Sequence, residues 1–159
     1  MAGLPDVPGS KLYPFNTKGK PLNIEYLEEL GHGLHGYVWK VRINDQVFAL
    51  KIFNWFREGV EGSNTFGQEL DFAERENYFE PFQNECRAYG RLKEFGWEDL
   101  TFKCFGYILL EQTHLTFLKR TYENFYKCDW DYDSDEEYCR KEPVRAIVKE
   151  FVDIPKTEH

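Results

Sequence analysis

Gly31-His32-Gly33-Leu34-His35-Gly36 places three glycines at G-x-G-x-x-G spacing, and Val38 stands two residues further on. Glycines so spaced let backbone N–H groups close on a phosphate that a side chain would hold away. The spacing alone serves two chemistries. A dinucleotide site needs a helix after the glycines and an acidic ribose-binding residue at the end of a second parallel strand. Here Tyr37-Val38-Trp39-Lys40-Val41-Arg42-Ile43 largely alternates, the pattern of a half-buried strand. The glycines therefore turn one strand into the next, and a Rossmann-type oxidoreductase is excluded. The returning strand carries Lys51 behind Val47-Phe48-Ala49-Leu50. An ammonium in that place reaches the non-transferable phosphates of a nucleotide lying under a glycine hairpin. Glu85 falls in a helical stretch, on the face it shares with Tyr89, where a carboxylate can pair with Lys51 and aim it inward.

Plainer readings stand beside each of these. Lys51 and Glu85 can form a structural ion pair tying helix to sheet, and the glycines can make a turn that binds nothing. His32 and His35 lack nearby Cys or paired carboxylates, so they read as solvent-exposed turn residues rather than metal ligands. Asp131, Asp133 and Asp135, with Glu142 at the twelfth position, mimic a calcium loop. Glu136 stands where that loop needs glycine, and no flanking helices are evident, so a solvated acidic loop is expected. Cys86, Cys104, Cys128 and Cys139 have no C-x-x-C spacing and read as free thiols.

The elements that must position these groups follow from periodicity. Pro5, Pro8, Pro14 and Pro21 keep residues 1–22 an extended N-terminal arm. Ile24–Leu30, the strand after the glycines and Gln46–Phe53 make an antiparallel meander, with Asn44-Asp45 as its second turn. Residues 54–80 form a long insert, with a short helix suggested near Gln68–Glu76. Pro81 opens a helix whose Phe82, Cys86, Tyr89 and Leu92 keep helical spacing, and Gly96 suits its C-cap. Leu100–Leu110 reads as a strand interrupted by Gly106, residues 112–142 as a polar insert, and Val144–Val152 as the last strand. A tail at 154–159 follows. The expectation is an α+β fold, a five-stranded antiparallel sheet with one main packed helix, spanning residues 23–153.

Composition bounds the partners. Hydrophobic residues make up 42% and aromatics 18% of 159 residues, which is enough for a ring-rich core and excludes a disordered chain. With 28 acidic against 20 basic side chains the net charge is −8, and no basic stripe is visible, so nucleic acid is not expected as a partner. No apolar h-region opens the chain and no run approaches the roughly 18 residues of a membrane span. A cytoplasmic or nuclear protein with no membrane partner is expected.

Glycine hairpin, strand lysine and helix glutamate, in that order, resemble the N-lobe of the eukaryotic protein-kinase-like superfamily over residues 24–152. The resemblance implies that Gly31, Gly33 and Gly36 cover phosphates, Val38 and Ala49 sandwich an adenine, Lys51 binds phosphate, and Glu85 holds Lys51. It also implies that Ala146–Val152 enters a hinge, with Glu150 and Val152 among the hinge residues. Glu85-Cys86-Arg87-Ala88-Tyr89-Gly90-Arg91-Leu92-Lys93 and the Val144–Val152 strand are similar to a group of fungal kinase-like proteins, some with a kinetochore-subunit domain.

The departures weigh as much. No H-R-D-x-x-x-x-N loop and no D-F-G is present, so no catalytic residue and no metal site is expected. Lys149 falls at the back of the implied adenine pocket, where it bonds the base or pairs with an acid. The expected function is a non-catalytic interaction or regulatory module, not an enzyme by itself, with no cofactor beyond weak ATP binding. The alternative is an ATP-binding fragment of a longer kinase whose C-lobe lies elsewhere. A lone lobe leaves helix and sheet edge bare, so a protein partner or a homodimer is expected to cover the C-lobe surface.

Overall fold

Apolar residues two apart build the sheet. A computed structural model, which describes residues 2–53, 80–111, 113–114 and 143–153, contains five strands: β1 (Ile24–Gly33), β2 (Gly36–Ile43), β3 (Gln46–Phe53), β4 (Cys104–Leu110) and β5 (Val144–Glu150). Every neighbouring pair is antiparallel, in the order β1-β2-β3-β5-β4. With one packed helix, this is the α+β architecture expected. Asn44 and Asp45 join β2 to β3 with φ of 47° and 71°. Two positive φ values in a two-residue turn match the right-handed twist of the strands they connect. The suggested helix near Gln68–Glu76, the acidic stretch and Cys128 and Cys139 lie outside the described residues.

Helix α1 (Pro81–Glu94) stands between β3 and β4 in the chain, and its ends are chemically defined. The Glu80 carboxylate accepts from the N–H groups of Phe82 (3.2 Å) and Gln83 (2.9 Å), two donors the helix itself leaves unused. Pro81, which has no N–H to lose, takes the first turn. At the other end Gly96 adopts φ 69°, and the Trp97 N–H returns to the Leu92 carbonyl at 2.8 Å. That closure satisfies the last carbonyls and stops the helix. The Leu100–Leu110 run is not one strand. Leu100 is 77% exposed and its N–H turns back to Trp97 O (3.1 Å) in a 3₁₀ turn, Glu98–Leu100. With no core to face, the backbone there makes local bonds, and the ladder begins only at Cys104. No helix among the described residues is long and apolar enough to cross a membrane.

The two faces of the sheet have different contents. One carries Tyr37, Trp39, Val41, Leu50, Ile52, Ile108, Leu110, Val144, Ala146 and Val148, all buried in one cluster. The other faces α1, where Phe82 and Cys86 meet Phe53, Tyr107, Cys104 and Ile147. Period two on the strands and spacing of four on the helix are what sort these residues.

Leu12, fully buried, joins the second cluster from the N-terminal arm. Leu4 and Leu12 exchange both backbone hydrogen bonds (2.8 Å each), closing residues 4–12 on themselves. Beyond them Phe15 N–H donates to Tyr107 O (2.8 Å) and Tyr107 N–H to Tyr13 O (3.1 Å), so the arm pairs with the outer edge of β4. Two glycines admit it. A Cβ on Gly90 of α1 would lie 2.5 Å from the Lys11 carbonyl carbon, and one on Gly106 of β4 would lie 2.6 Å from Tyr13 O. The glycine expected to interrupt β4 sits at a bulge in its pairing with β5, beside the arm. The β4 edge is therefore covered at Tyr107 by this chain's own arm.

Candidate functional site

Register places the charged groups on the α1 side of the sheet. Ala49 lies opposite Lys149 and Lys51 opposite Ile147 across β3 and β5. Directly paired residues share a face, as do residues two apart, so the two lysines are diagonal neighbours facing the helix. Glu85 of α1 meets both. Its Oε2 accepts from Lys51 Nζ at 2.5 Å, and its Oε1 accepts from Lys149 Nζ. The three side chains are 19–22% exposed. Lys51 Nζ also lies 4.6 Å from the Phe53 ring centroid, and Lys149 Nζ 5.0 Å from that of Tyr89.

One carboxylate thus serves two ammoniums. Burial presses the Lys149 pKa down, but the Glu85 hydrogen bond and charge, with help from Tyr89, outweigh it and leave the pKa raised. Lys149 stays cationic at neutral pH. The cluster therefore keeps one excess positive charge in a partly dry place, which can draw an anion or fix the helix against the sheet. Below it Val38, opposite Lys51 on β2, completes the strip formed with Ala49 and Lys51. Four of the expected residues, Val38, Ala49, Lys51 and Glu85, come together on one side.

The glycines occupy the β1–β2 corner. Gly33 faces Gly36 across the Leu34-His35 turn, and Leu34 is 72% exposed at its tip. Only Gly36 is sterically required: a Cβ there would fall 2.0 Å from Ile52 O, while Gly31 and Gly33 have open space around them. His32, exposed as expected, lies 2.9 Å from a Glu29 carboxylate oxygen. Glu150 turns away from the cluster. It lies opposite Phe48, on the other face of the sheet, and its N–H donates to Lys103 O (2.7 Å) while its carboxylate accepts from Lys103 N–H (3.3 Å). Val152 is 45% exposed beyond the strand. The pair implied for a hinge thus has one member occupied with the start of β4.

A second ion pair was not anticipated. Glu80, fully buried, lies 3.4 Å from Arg145 Nη1, and the Arg145 guanidinium sits 5.7 Å from the Phe82 ring centroid. An acid directly before a proline-initiated helix, and Arg145 two and four residues before Ile147 and Lys149, were the available signals. Cys86 and Cys104 are free and buried. Burial, the largest influence on each, raises the Cys86 thiol and pushes that of Cys104 up to about 11, so neither is a ready nucleophile. No group of three or more His, Cys, Asp or Glu suited to a metal occurs among the described residues.

The family described as kinetochore Sim4 complex subunit FTA2 has a model that matches residues 1–159. The chain belongs to that family. No curated protein and no solved structure matches it. For this FTA2-family chain the match runs through arm, sheet and helix alike, so the Lys51–Glu85–Lys149 cluster and the groove that seats the arm lie within the family's span.

Proposed function

We propose that the chain is a non-catalytic subunit of a kinetochore complex, a kinase-N-lobe-like module in the nucleus that works through protein partners. Nucleotide binding is weak or nil. The observation that carries this reading is the match of all 159 residues to a family described as a kinetochore complex subunit. The cluster adds support. Lys149 takes part of the Glu85 carboxylate that would otherwise serve Lys51 alone, and it does so from the side where the resemblance would put the adenine. Freeing Lys149 to meet a ligand costs part of a mostly buried ion pair.

Two measurements test it. A fluorescently tagged full chain should concentrate at centromeres, and a diffuse signal through the cell cycle would remove the subunit reading. Calorimetric titration with magnesium-ATP should give a constant weaker than about 100 μM, near or below 5–6 kcal/mol of binding. A micromolar constant would instead favour a second reading, an ATP-binding part of a longer kinase. The direct Lys51–Glu85 contact between β3 and α1 is the observation on that reading's side.

A further inference from the structure

The N-terminal arm touches the C-terminal end of α1 at Ser10. Its Oγ donates to Glu94 Oε2 at 2.5 Å, and Glu94 is the last residue of the helix. We propose that Ser10 is a phosphorylation site and that phosphate there lifts the arm off α1 and β4. The proposal goes beyond the subunit reading and does not depend on it.

Charge decides the direction. A phosphoserine is close to a dianion at neutral pH, and its Oγ has no proton left to donate. In the seated arm it would stand against the Glu94 carboxylate, at the end of the helix dipole that is itself negative. Both neighbours repel it. The bases of that last turn, Arg91 and Lys93, are engaged elsewhere. The Arg91 guanidinium lies 5.6 Å from the Phe95 ring centroid, and Lys93 Nζ lies 4.0 Å from Glu98. Lys11, next in the chain, donates through Nζ to the carbonyls of Pro5 and Val7. The arm's other hydroxyl residue, Tyr13, is 64% exposed, so a charge added there stays in water.

Ser10 is placed to move the rest of the arm. The Lys11 backbone crosses Gly90 so closely that a Cβ there would lie 2.5 Å from its carbonyl carbon, which leaves no slack to absorb a shift at Ser10. Leu12 follows, fully buried, and then Tyr13 and Phe15 with their main-chain bonds to Tyr107. Pushing Ser10 outward therefore pulls on anchor and ladder together. On its other side Asp6, Pro8 and Gly9 are exposed, so the segment entering Ser10 lies open to water. The transfer forms a bond between Ser10 Oγ and the γ-phosphorus of a nucleoside triphosphate. It breaks that phosphorus's bond to the departing diphosphate oxygen, and the hydroxyl proton passes to the base of a separate protein kinase. Such a kinase needs the segment extended in its own cleft, so the released arm is its substrate and the phosphate then keeps it released.

The full chain should be prepared with phosphoserine at position 10 and compared, by amide hydrogen exchange, with the unmodified chain and with Ser10→Ala, which loses only the hydrogen bond. Expected is exchange at Phe15 and Tyr107 about tenfold faster in the phosphorylated chain than in Ser10→Ala. Trp39 and Leu50, paired across β2 and β3, should keep their protection, since the sheet stays folded. Adding Glu94→Gln to the phosphorylated chain should restore part of the lost protection, and so should salt at about 1 M. Equal exchange in the phosphorylated and Ser10→Ala chains would overturn the release, as would a phosphate that slows exchange by recruiting Arg91 or Lys93. Failure of Glu94→Gln to restore anything would overturn it as well, because the repulsion would then lie elsewhere. Phosphopeptide mapping of the chain from its own cells should find phosphate on Ser10. A Ser10 left bare at every stage of growth, with phosphatases inhibited, would overturn the site.

Discussion

The two faces of one sheet obey the same period and store different things. Away from the helix, β2, β3, β4 and β5 bury a cluster built from apolar residues and two aromatic alcohols or amines at most, with Trp39 fully enclosed. Toward the helix, the apolar residues are interrupted by Arg145, Lys51 and Lys149, answered by Glu80 and Glu85 from the start and middle of α1. Apolar contact is indifferent to small slips of a helix along a sheet, whereas a carboxylate held by two ammoniums fixes one position. Burying charge rarely adds net stability, because desolvation offsets the attraction. The first face should therefore govern how strongly the chain folds, and the second where its helix stands.

The largest test of that division is Trp39→Ala. Removing a fully buried indole should cost about 3–5 kcal/mol, read as a drop in the urea midpoint. On the other face, Glu85→Ala leaves two ammoniums facing each other and should cost about 2 kcal/mol, moderated by the water that reaches them. Replacing the set together, Lys51→Met with Glu85→Leu and Lys149→Met, should return most of that loss. If the triple variant stays as unstable as Glu85→Ala, the charged face supplies stability after all and the comparison fails.

The smallest effect is in alkali. A group whose pKa is raised on folding contributes stability that is complete below its unfolded value and is lost as pH climbs through the folded one. For Cys104 that window runs from 9.0 to about 11, and for Lys149 it opens above 10.5. Stability should therefore sag between pH 9 and 11. The Cys86 thiol, also raised by burial, opens at the same 9.0, so Cys86→Ala with Cys104→Ala should flatten the early part and Lys149→Met the late part. A wild type that is flat across the range would show these groups wetter than their burial suggests.

Much of this arrangement was legible from local pattern. The glycine corner, the Asn44-Asp45 turn, the helix start at Pro81 and the Lys51–Glu85 contact all follow from residues that announce themselves within a few positions, or from period alone. What was not legible needed register. Lys149 carries a charge any reader can see, but that it shares Glu85 with Lys51 depends on Ala49 lying opposite it across β3 and β5. Glu80 looked like one more acid in a connector until the helix placed it against Arg145. The arm was misleading in a different way. Its prolines truthfully deny it regular structure, yet its seat is made by Gly90 and Gly106, of which the second reads on its own only as a break in a strand.

That seat makes residues 2–15 a ligand carried by its own receptor. Leu12 is the anchor, Tyr107 supplies main-chain bonds and a hydroxyl that donates to Ala2 O at 2.6 Å, and Ser10 donates to Glu94 at 2.5 Å. The tether is only residues 16–23, since β1 begins at Ile24. A short flexible tether holds its ligand at an effective concentration on the order of 1 mM. Any molecule that uses the groove between α1 and β4 must outbid that occupancy, by affinity or by number, before it makes a single contact. A methyl group added at Gly90 or Gly106 would lower the occupancy without altering the ligand at all.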